Sequence, residues 1–173
     1  MRGLEATFGK SDDIHLHALV PFEYGIHLGG SPDIVSFSGF TSGKLYVTTE
    51  LIGYTDQKPN SEGNYELAIA HKGDEDWGVN IICRLAYYTL DNVLEHGETM
   101  DIANVTPDGS TIVALLFKRI ASFQFQGNPA NVICCIGITQ HELDLCFKQG
   151  STALLKKLPQ DYVLTELYRE SYA

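Results

Sequence analysis

The chain lacks long hydrophobic runs, has few basic residues and contains a single tryptophan. Its longest apolar runs, such as residues 112–117, are far too short to span a bilayer. The N-terminus has no continuous apolar segment of the kind found in signal peptides. Together these absences predict a cytoplasmic protein with no membrane partner.

Positive charge is scarce: 12 Lys and Arg face 22 Asp and Glu, and the formal net charge is −10. A nucleic-acid surface needs clustered basic side chains to neutralise phosphates, so the composition predicts no nucleic-acid partner. An acidic surface keeps a protein soluble, and it also steers basic partners toward it.

The four cysteines fit no disulfide or metal pattern. Cys83, Cys134, Cys135 and Cys146 all lie in apolar runs, with no zinc-ribbon or redox CxxC spacing. They are predicted to be free and buried, as is usual in a reducing compartment. Cys146 and His141 are five apart on a predicted helix, so they point away from each other and do not form a nucleophile pair.

Length and composition predict one globular domain over residues 1–173. The hydrophobic fraction is 44% and the charged fraction is 20%, both ordinary for a soluble protein. β-branched and aromatic runs predict strands. They are residues 34–37, 45–51, 65–70, 111–117, 120–125 and 131–138, and the last, fully apolar, is expected to be central.

A helix is predicted from about Trp77 to Leu90, after an acidic stretch in which Asp74 or Asp76 is a candidate cap. It is apolar on most sides, so we expect it to be buried at the centre of the domain. Its aromatic residues, Trp77, Tyr87 and Tyr88, are predicted to pack in the core, with ligand stacking as the alternative.

Helix signals are strong after the last long strand. Thr139 and Glu142 form a capping-box pattern, flanked by Ile138 and Leu143 as a hydrophobic staple. Gly150 is predicted to end this helix. Ser151 is a candidate cap for a second short helix through Leu158, and residues 162–167 are expected to be extended. The fold class is therefore α+β, a mixed, largely antiparallel sheet with a central buried helix and two short C-terminal helices.

No motif for catalysis or cofactor binding is present. There is no GxGxxG, GK[ST] or Gly-x-Ser-x-Gly pattern. His15 and His17 are two apart but have no third ligand nearby, and His141-Glu142 lacks the second histidine of a metalloprotease motif. We therefore expect no catalytic residues, no cofactor and no metal.

Several fragments, taken in order, resemble the Suppressor of fused family, specifically its N-terminal domain and the small bacterial proteins built from that domain alone. The fragments are residues 29–35, 46–51, Tyr65-Glu66-Leu67, Trp77, Leu85-Ala86-Tyr88, His96-Gly97-Glu98, residues 136–139, Glu142-Leu143, residues 164–167 and Arg169. The resemblance covers most of the chain from about residue 25 onward.

The resemblance implies an α+β fold without enzymatic activity. In animals the family binds a transcription factor of the Hedgehog pathway, and in bacteria the domain resembles immunity proteins against secreted toxins. The larger relatives clasp a peptide between two domains as an added strand. The chain ends at Ala173, so the second domain is expected to be absent, although a strand edge can accept a peptide by itself.

Three hypotheses for function follow. The first is a cytoplasmic bacterial protein-binding module that neutralises a basic toxin domain. Its predicted partner-binding residues are Asp56, Glu62, Asp74, Glu75 and Asp76. The second is a small metal-dependent hydrolase whose site is assembled from distant residues. The third is a small-ligand sensor in which the aromatic helix lines a cavity.

Overall fold

A computed structural model describes residues 2–13, 16–24, 28–72 and 76–173. Within these residues seven strands form one sheet. The strands are β1 (Ile34–Phe37), β2 (Lys44–Thr48), β3 (Asn64–His71), β4 (Thr99–Asp101), β5 (Ile112–Phe125), β6 (Asn128–Thr139) and β7 (Leu164–Thr165). The helices are α1 (Arg2–Phe8), α2 (Trp77–Asp91), α3 (Gln140–Gln149) and α4 (Ser151–Leu155), with a 3-10 turn at Phe22–Tyr24.

The sheet has the order β1-β2-β3-β6-β5-β4, and β7 pairs with β3 off this path. Four pairings are antiparallel: β1 with β2, β2 with β3, β4 with β5, and β5 with β6. β3 pairs in parallel with both β6 and β7. The α+β class with a mixed, largely antiparallel sheet is therefore confirmed, and β6, which is apolar over residues 132–138, lies in the middle of the sheet as predicted.

β5 is one long strand where the sequence predicted two. Lys118 and Arg119 are charged, which suggested a break between two strands. The strand instead continues past a register shift between Arg119 and Ala121, where it pairs with Ile133 and Val132 of β6. It turns into β6 through Gln126 and Gly127, whose φ angles of 50° and 83° suit a tight hairpin.

The sheet is covered on both faces. The predicted alternation in β3 is confirmed: Tyr65, Leu67 and Ile69 pack in the cluster under α2. Ala68 and Ala70 belong to a second cluster that includes residues of α1, α3 and α4. Because both faces are covered, residues 65–71 of β3 are all buried although the strand alternates.

The long helix α2 matches its predicted bounds but is open on one side. Ile82 and Ala86 are fully buried, whereas Asn80, Arg84 and Tyr88 are exposed. Asp76 occupies the N-cap position, yet its side chain makes no cap hydrogen bond. The expectation of capping by Asp76 is therefore wrong, and Asp74 lies outside the described residues.

The C-terminal helices begin largely as predicted. The capping box of α3 forms, with the Glu142 carboxylate accepting a hydrogen bond from Thr139 N at 2.9 Å. α3 ends before Gly150, which also takes the N-cap position of α4. Ser151 is therefore the first residue of α4 rather than its cap, and α4 ends at Leu155 rather than Leu158.

α1 has no counterpart among the predicted elements. It packs through Leu4 and Phe8, both 4% exposed, which are four apart and so share one helix face. In the described ranges, no helix combines the length and apolar character needed to cross a membrane.

Candidate functional site

The open edge of the sheet at β4 is the first candidate site. β4 follows a connection from α2 that is fixed at Leu94, whose backbone N donates to the Tyr65 hydroxyl at 3.0 Å. Burial raises the pKa of Tyr65 to about 12, so this hydroxyl stays protonated and neutral. The amide of Asn60 donates to Leu94 O at 3.4 Å. These buried contacts hold the start of β4 in place.

Alternate backbone groups of β4 point away from the sheet. Phe117 N donates to Glu98 O at 2.9 Å, and Ile102 N donates to Val113 O at 2.8 Å. Antiparallel pairing alternates along a strand, so Thr99 and Asp101 direct their N–H and C=O groups outward. Among the described residues, no strand pairs with this outer side. The edge therefore offers hydrogen-bonding groups to an added strand.

A groove of about 610 Å³ runs beside β4. One wall comes from Tyr88 of α2 and Met100 of β4, and the other from Cys146 and Phe147 of α3. Tyr88 is 40% exposed and Phe147 is 74% exposed, so the groove presents aromatic surface to solvent. Exposed aromatic side chains at a concave surface are typical of contact sites for partners.

The groove has an acidic rim. Glu98 and Asp101 are exposed, and the carboxylate of Glu98 accepts a hydrogen bond from Glu95 N at 3.1 Å. Glu95 in turn accepts hydrogen bonds from Ser61 N and Oγ at 2.8 and 2.7 Å. The rim favours basic or hydroxyl-bearing segments of a partner.

The predicted partner-binding residues do not form one patch. Asp56 and Asp76 are both exposed. Asp76 lies at the start of α2. The loop that holds Asp56 contacts the end of the same helix, where Lys58 N donates a hydrogen bond to Thr89 O. A helix of 15 residues separates these ends by roughly 20 Å. Glu62 is half-buried and ion-paired with Arg119. Asp74 and Glu75 lie outside the described residues.

Sequence reasoning missed the groove. Its signals were the acidic residues Glu95, Glu98 and Asp101, spaced three apart, and Phe147, an aromatic residue beside Lys148 near the end of a helix. Neither signal indicates which strand edge stays open, because that depends on the sheet order.

The cysteines and histidines carry no arrangement suited to catalysis in the described ranges. Burial raises the pKa of Cys134 to about 12 and raises the pKa of Cys135 well above its ordinary value, so both thiols stay protonated. Burial also raises the pKa of Cys146. His17 is bonded to Asp33 at 2.6 Å, and His15 lies outside the described residues. No group of three or more metal-ligating side chains occurs among the residues described.

A second cleft lies at the other end of α2 and includes Trp77. Trp77 and Tyr87 are half-buried and pack against the core under α2, whereas Tyr88 is exposed in the groove, so the prediction of core packing is wrong for Tyr88. Tyr87 is intermediate, and its hydroxyl donates to Gly30 O at 2.6 Å. The open side of α2 explains the difference, because only one of its faces meets the sheet.

The fold is shared with solved structures of Suppressor of fused proteins. The chain superimposes on the crystal structure of a Sufu–Fu complex with a TM-score of 0.72 and 12% identity, covering 98% of this chain and 87% of that one. It matches Drosophila Suppressor of Fused with a TM-score of 0.73 and 13% identity, over 99% of this chain but only 50% of the Drosophila chain. A SUFU homologue from Neisseria gonorrhoeae matches with a TM-score of 0.68 and 13% identity, over 99% and 93% of the two chains.

The model of the Suppressor of fused protein family matches residues 26–169. The chain therefore belongs to the Suppressor of fused family, as the ordered fragments predicted. No curated protein matches it by sequence.

Proposed function

We propose that the chain is a non-enzymatic protein-binding module, one domain over residues 1–173, that binds an extended segment of a partner as a strand added to β4. The observation that carries this proposal is the outward N–H and C=O groups of Thr99 and Asp101 beside an aromatic groove. Strand addition obtains affinity from main-chain hydrogen bonds and specificity from adjacent side-chain pockets. Family membership and the Sufu–Fu complex support protein binding as the class of function.

The partner we expect is a basic protein, namely a toxin domain met in a bacterial cytoplasm. The net charge of −10 and the acidic rim at Glu98 and Asp101 support this choice. Opposite charges raise the rate of encounter and orient the partner before contact. Asp56, and Asp76 at the opposite end of α2 from the groove, are proposed as secondary attracting charges.

The test is Thr99→Pro. Proline removes the outward N–H, which takes no part in pairing with β5, so the sheet can tolerate it at this edge. We expect the variant to keep its circular dichroism spectrum and to lose about tenfold or more in affinity for the partner captured from the native host.

Thr99→Val is the matched control, because it keeps the N–H and the extended conformation. It should bind the partner like the wild type. Equal binding by all three proteins would exclude strand addition at β4.

The toxin assignment has a separate test. The chain is co-expressed with a candidate toxin gene taken from its gene neighbourhood, and cell survival is measured. Survival with the wild type and death with Thr99→Pro would support it. Death with both, while the wild type still captures another protein, would refute the toxin and leave strand addition standing.

A further inference from the structure

The cleft at the start of α2 has the size of a small-ligand site. It lies where the end of β3, the first turn of α2 and residues 165–169 meet, and its volume is about 340 Å³. Small-molecule sites occupy roughly 300–1,000 Å³ and combine aromatic walls with a few polar groups. This cleft has both, and it is separate from the groove beside β4.

The floor is built from polar residues that are almost fully buried. His71 and Thr165 are partners in the β3–β7 pairing and are 5% and 1% exposed. The imidazole stacks on Tyr46, with ring centroids 4.9 Å apart. It lies against Gly78 of α2, where an added Cβ would come within 2.6 Å of its Cδ2 atom. The floor therefore depends on a glycine at this point of the helix.

His71 Nε2 is buried and has no hydrogen-bond partner among the described residues, while Nδ1 lies 3.4 Å from Lys72 O and so carries the ring proton. Buried polar atoms are nearly always paired, and leaving one unpaired is unfavourable. Thr165 Oγ1 accepts a hydrogen bond from Gly137 N at 2.8 Å, so it is already engaged. The unpaired ring nitrogen at the floor is thus the group that a ligand would satisfy.

The charges around the cleft argue against an anionic ligand. Lys72 Nζ lies 2.8 Å from a carboxylate oxygen of Glu166. The guanidinium of Arg169 bonds both carboxylate oxygens of Glu142, at 2.7 and 2.6 Å. Both cations are neutralised, and the exposed carboxylate of Asp76 adjoins Trp77. An anion would find no free cation here.

The walls are aromatic. The half-buried Trp77 stands on one side, and Tyr168, 62% exposed, stands at the rim. Leu167, 8% exposed, supplies apolar surface beside them. Flat rings stack well on such side chains, because ring stacking is favourable beyond the apolar area that it buries.

We infer that this cleft binds a small, uncharged, planar heteroaromatic compound. Its ring stacks against Trp77 and Tyr168, and an N–H group on its edge donates a hydrogen bond to His71 Nε2. The inference is independent of strand addition at β4, because the two sites share none of the residues that the structure describes.

The chain's single tryptophan reports occupancy directly, since Trp77 lies in the cleft. The full-length protein is titrated with adenine, cytosine, nicotinamide and benzimidazole, and tryptophan fluorescence is recorded with thermal unfolding as a second readout. Benzoate serves as a planar anion of similar size. We expect a saturable fluorescence change and a raised Tm with at least one heterocycle and none with benzoate.

Two variants test the assigned contacts. Tyr168→Ala removes an exposed wall, and His71→Phe removes the ring nitrogens but keeps an aromatic ring beside Tyr46. Each should weaken binding by about tenfold, while Tyr88→Ala in the other groove should leave it unchanged. The inference is overturned if no heterocycle gives a saturable response, if benzoate binds as well, or if Tyr168→Ala binds like the wild type.

Discussion

Glu66 shows at the scale of one residue how a buried carboxyl organises a turn. It accepts hydrogen bonds from Thr48 Oγ1 at 2.6 Å, from Ile52 N at 2.9 Å and from Leu51 N at 3.3 Å. These bonds draw the chain out of the β2 ladder after Thr48, which is why the strand ends earlier than the sequence predicted. Burial raises the pKa of Glu66 from 4.5 to about 7, against the opposing effect of the hydrogen bonds.

This shift predicts a stability that falls as pH rises. Between pH 4.5 and 7 the folded protein keeps a proton on Glu66 that the unfolded chain releases, so the stabilisation is complete below pH 4.5 and is lost as pH rises through 7. The change is on the order of 3 kcal/mol. Urea unfolding across this range should show the slope in the wild type.

Glu66→Gln should flatten that slope, because a neutral amide does not titrate. Asp56→Asn, at an exposed position, is the control and should keep it. A slope that survives in Glu66→Gln would assign the pH dependence to other groups.

The ion pair of Arg169 and Glu142 is predicted to stabilise the C-terminal segment. Their side chains are 7% and 0% exposed. Burial favours a raised pKa for Glu142, but hydrogen bonds from Arg169, Tyr172 N and Thr139 N lower the pKa below its ordinary value. Arg169→Met leaves this carboxylate buried and unpaired, so unfolding free energy should fall by about 3–5 kcal/mol.

Lys72→Met breaks the exposed pair with Glu166 and is the matched control. It should cost about 1 kcal/mol or less. Chemical denaturation of both variants at neutral pH measures the two losses, and similar losses would contradict the assigned difference in burial.

At the scale of the element, the start of the β3–β6 pairing depends on a close backbone approach. Gly63 has a φ of 110°, and a Cβ there would lie 2.2 Å from Pro129 O. Gly63→Ala combines backbone strain with overpacking, so we expect a loss of about 3 kcal/mol or more in unfolding free energy.

Gly109 offers a control with a φ of 77° but no atom within 4 Å of the added Cβ. Gly109→Ala should cost only the strain of the left-handed backbone, about 1–2 kcal/mol. Comparing the two by thermal unfolding separates conformation from steric conflict. Equal losses would show that Pro129 moves aside.

The elements that the sequence predicted correctly have local causes. β6 is apolar over residues 132–138 and lies between β3 and β5, and the Thr139–Glu142 capping box fixes the start of α3 within four residues. α1, β4 and the continuity of β5 depend on partners distant in the chain. β4 has only three residues and is defined by β5, so no local pattern reveals it.

The candidate sites were predictable only in part for the same reason. The family and the class of function followed from short fragments in order. The acidic residues proposed for partner binding could be identified in the sequence. Their separation by the length of α2 could not be predicted from it. Trp77 was predicted to lie in the core because its neighbours are apolar. The sequence does not show that one side of α2 stays open, because this depends on how the sheet packs against the other side.

For the whole molecule, the net charge of −10 predicts salt-sensitive binding of a basic partner. Raising salt from about 0.05 to 0.5 M shortens the screening length severalfold, so the association rate should fall by about tenfold or more while dissociation changes little. Surface plasmon resonance with the purified partner measures both rates.

Charge reversal then locates the attracting surface. Asp101→Lys at the groove rim should slow association more than Asp76→Lys at the start of α2, the end away from the groove. The opposite order would favour the surface around Asp76 over the edge of β4.

The parallel seam between β3 and β6 has a consequence for how the protein is made. Asn64 pairs with Ala130, and the amides of Asn60 and Asn131 bond each other at 3.2 Å. A ribosome therefore releases β1, β2, β3 and α2 well before β6 exists to cover the exposed flank of β3. During that interval the edge of β3 that faces β6 is unpaired in the nascent chain. The register between β3 and β6 is set only after the second half of the sheet has been synthesised.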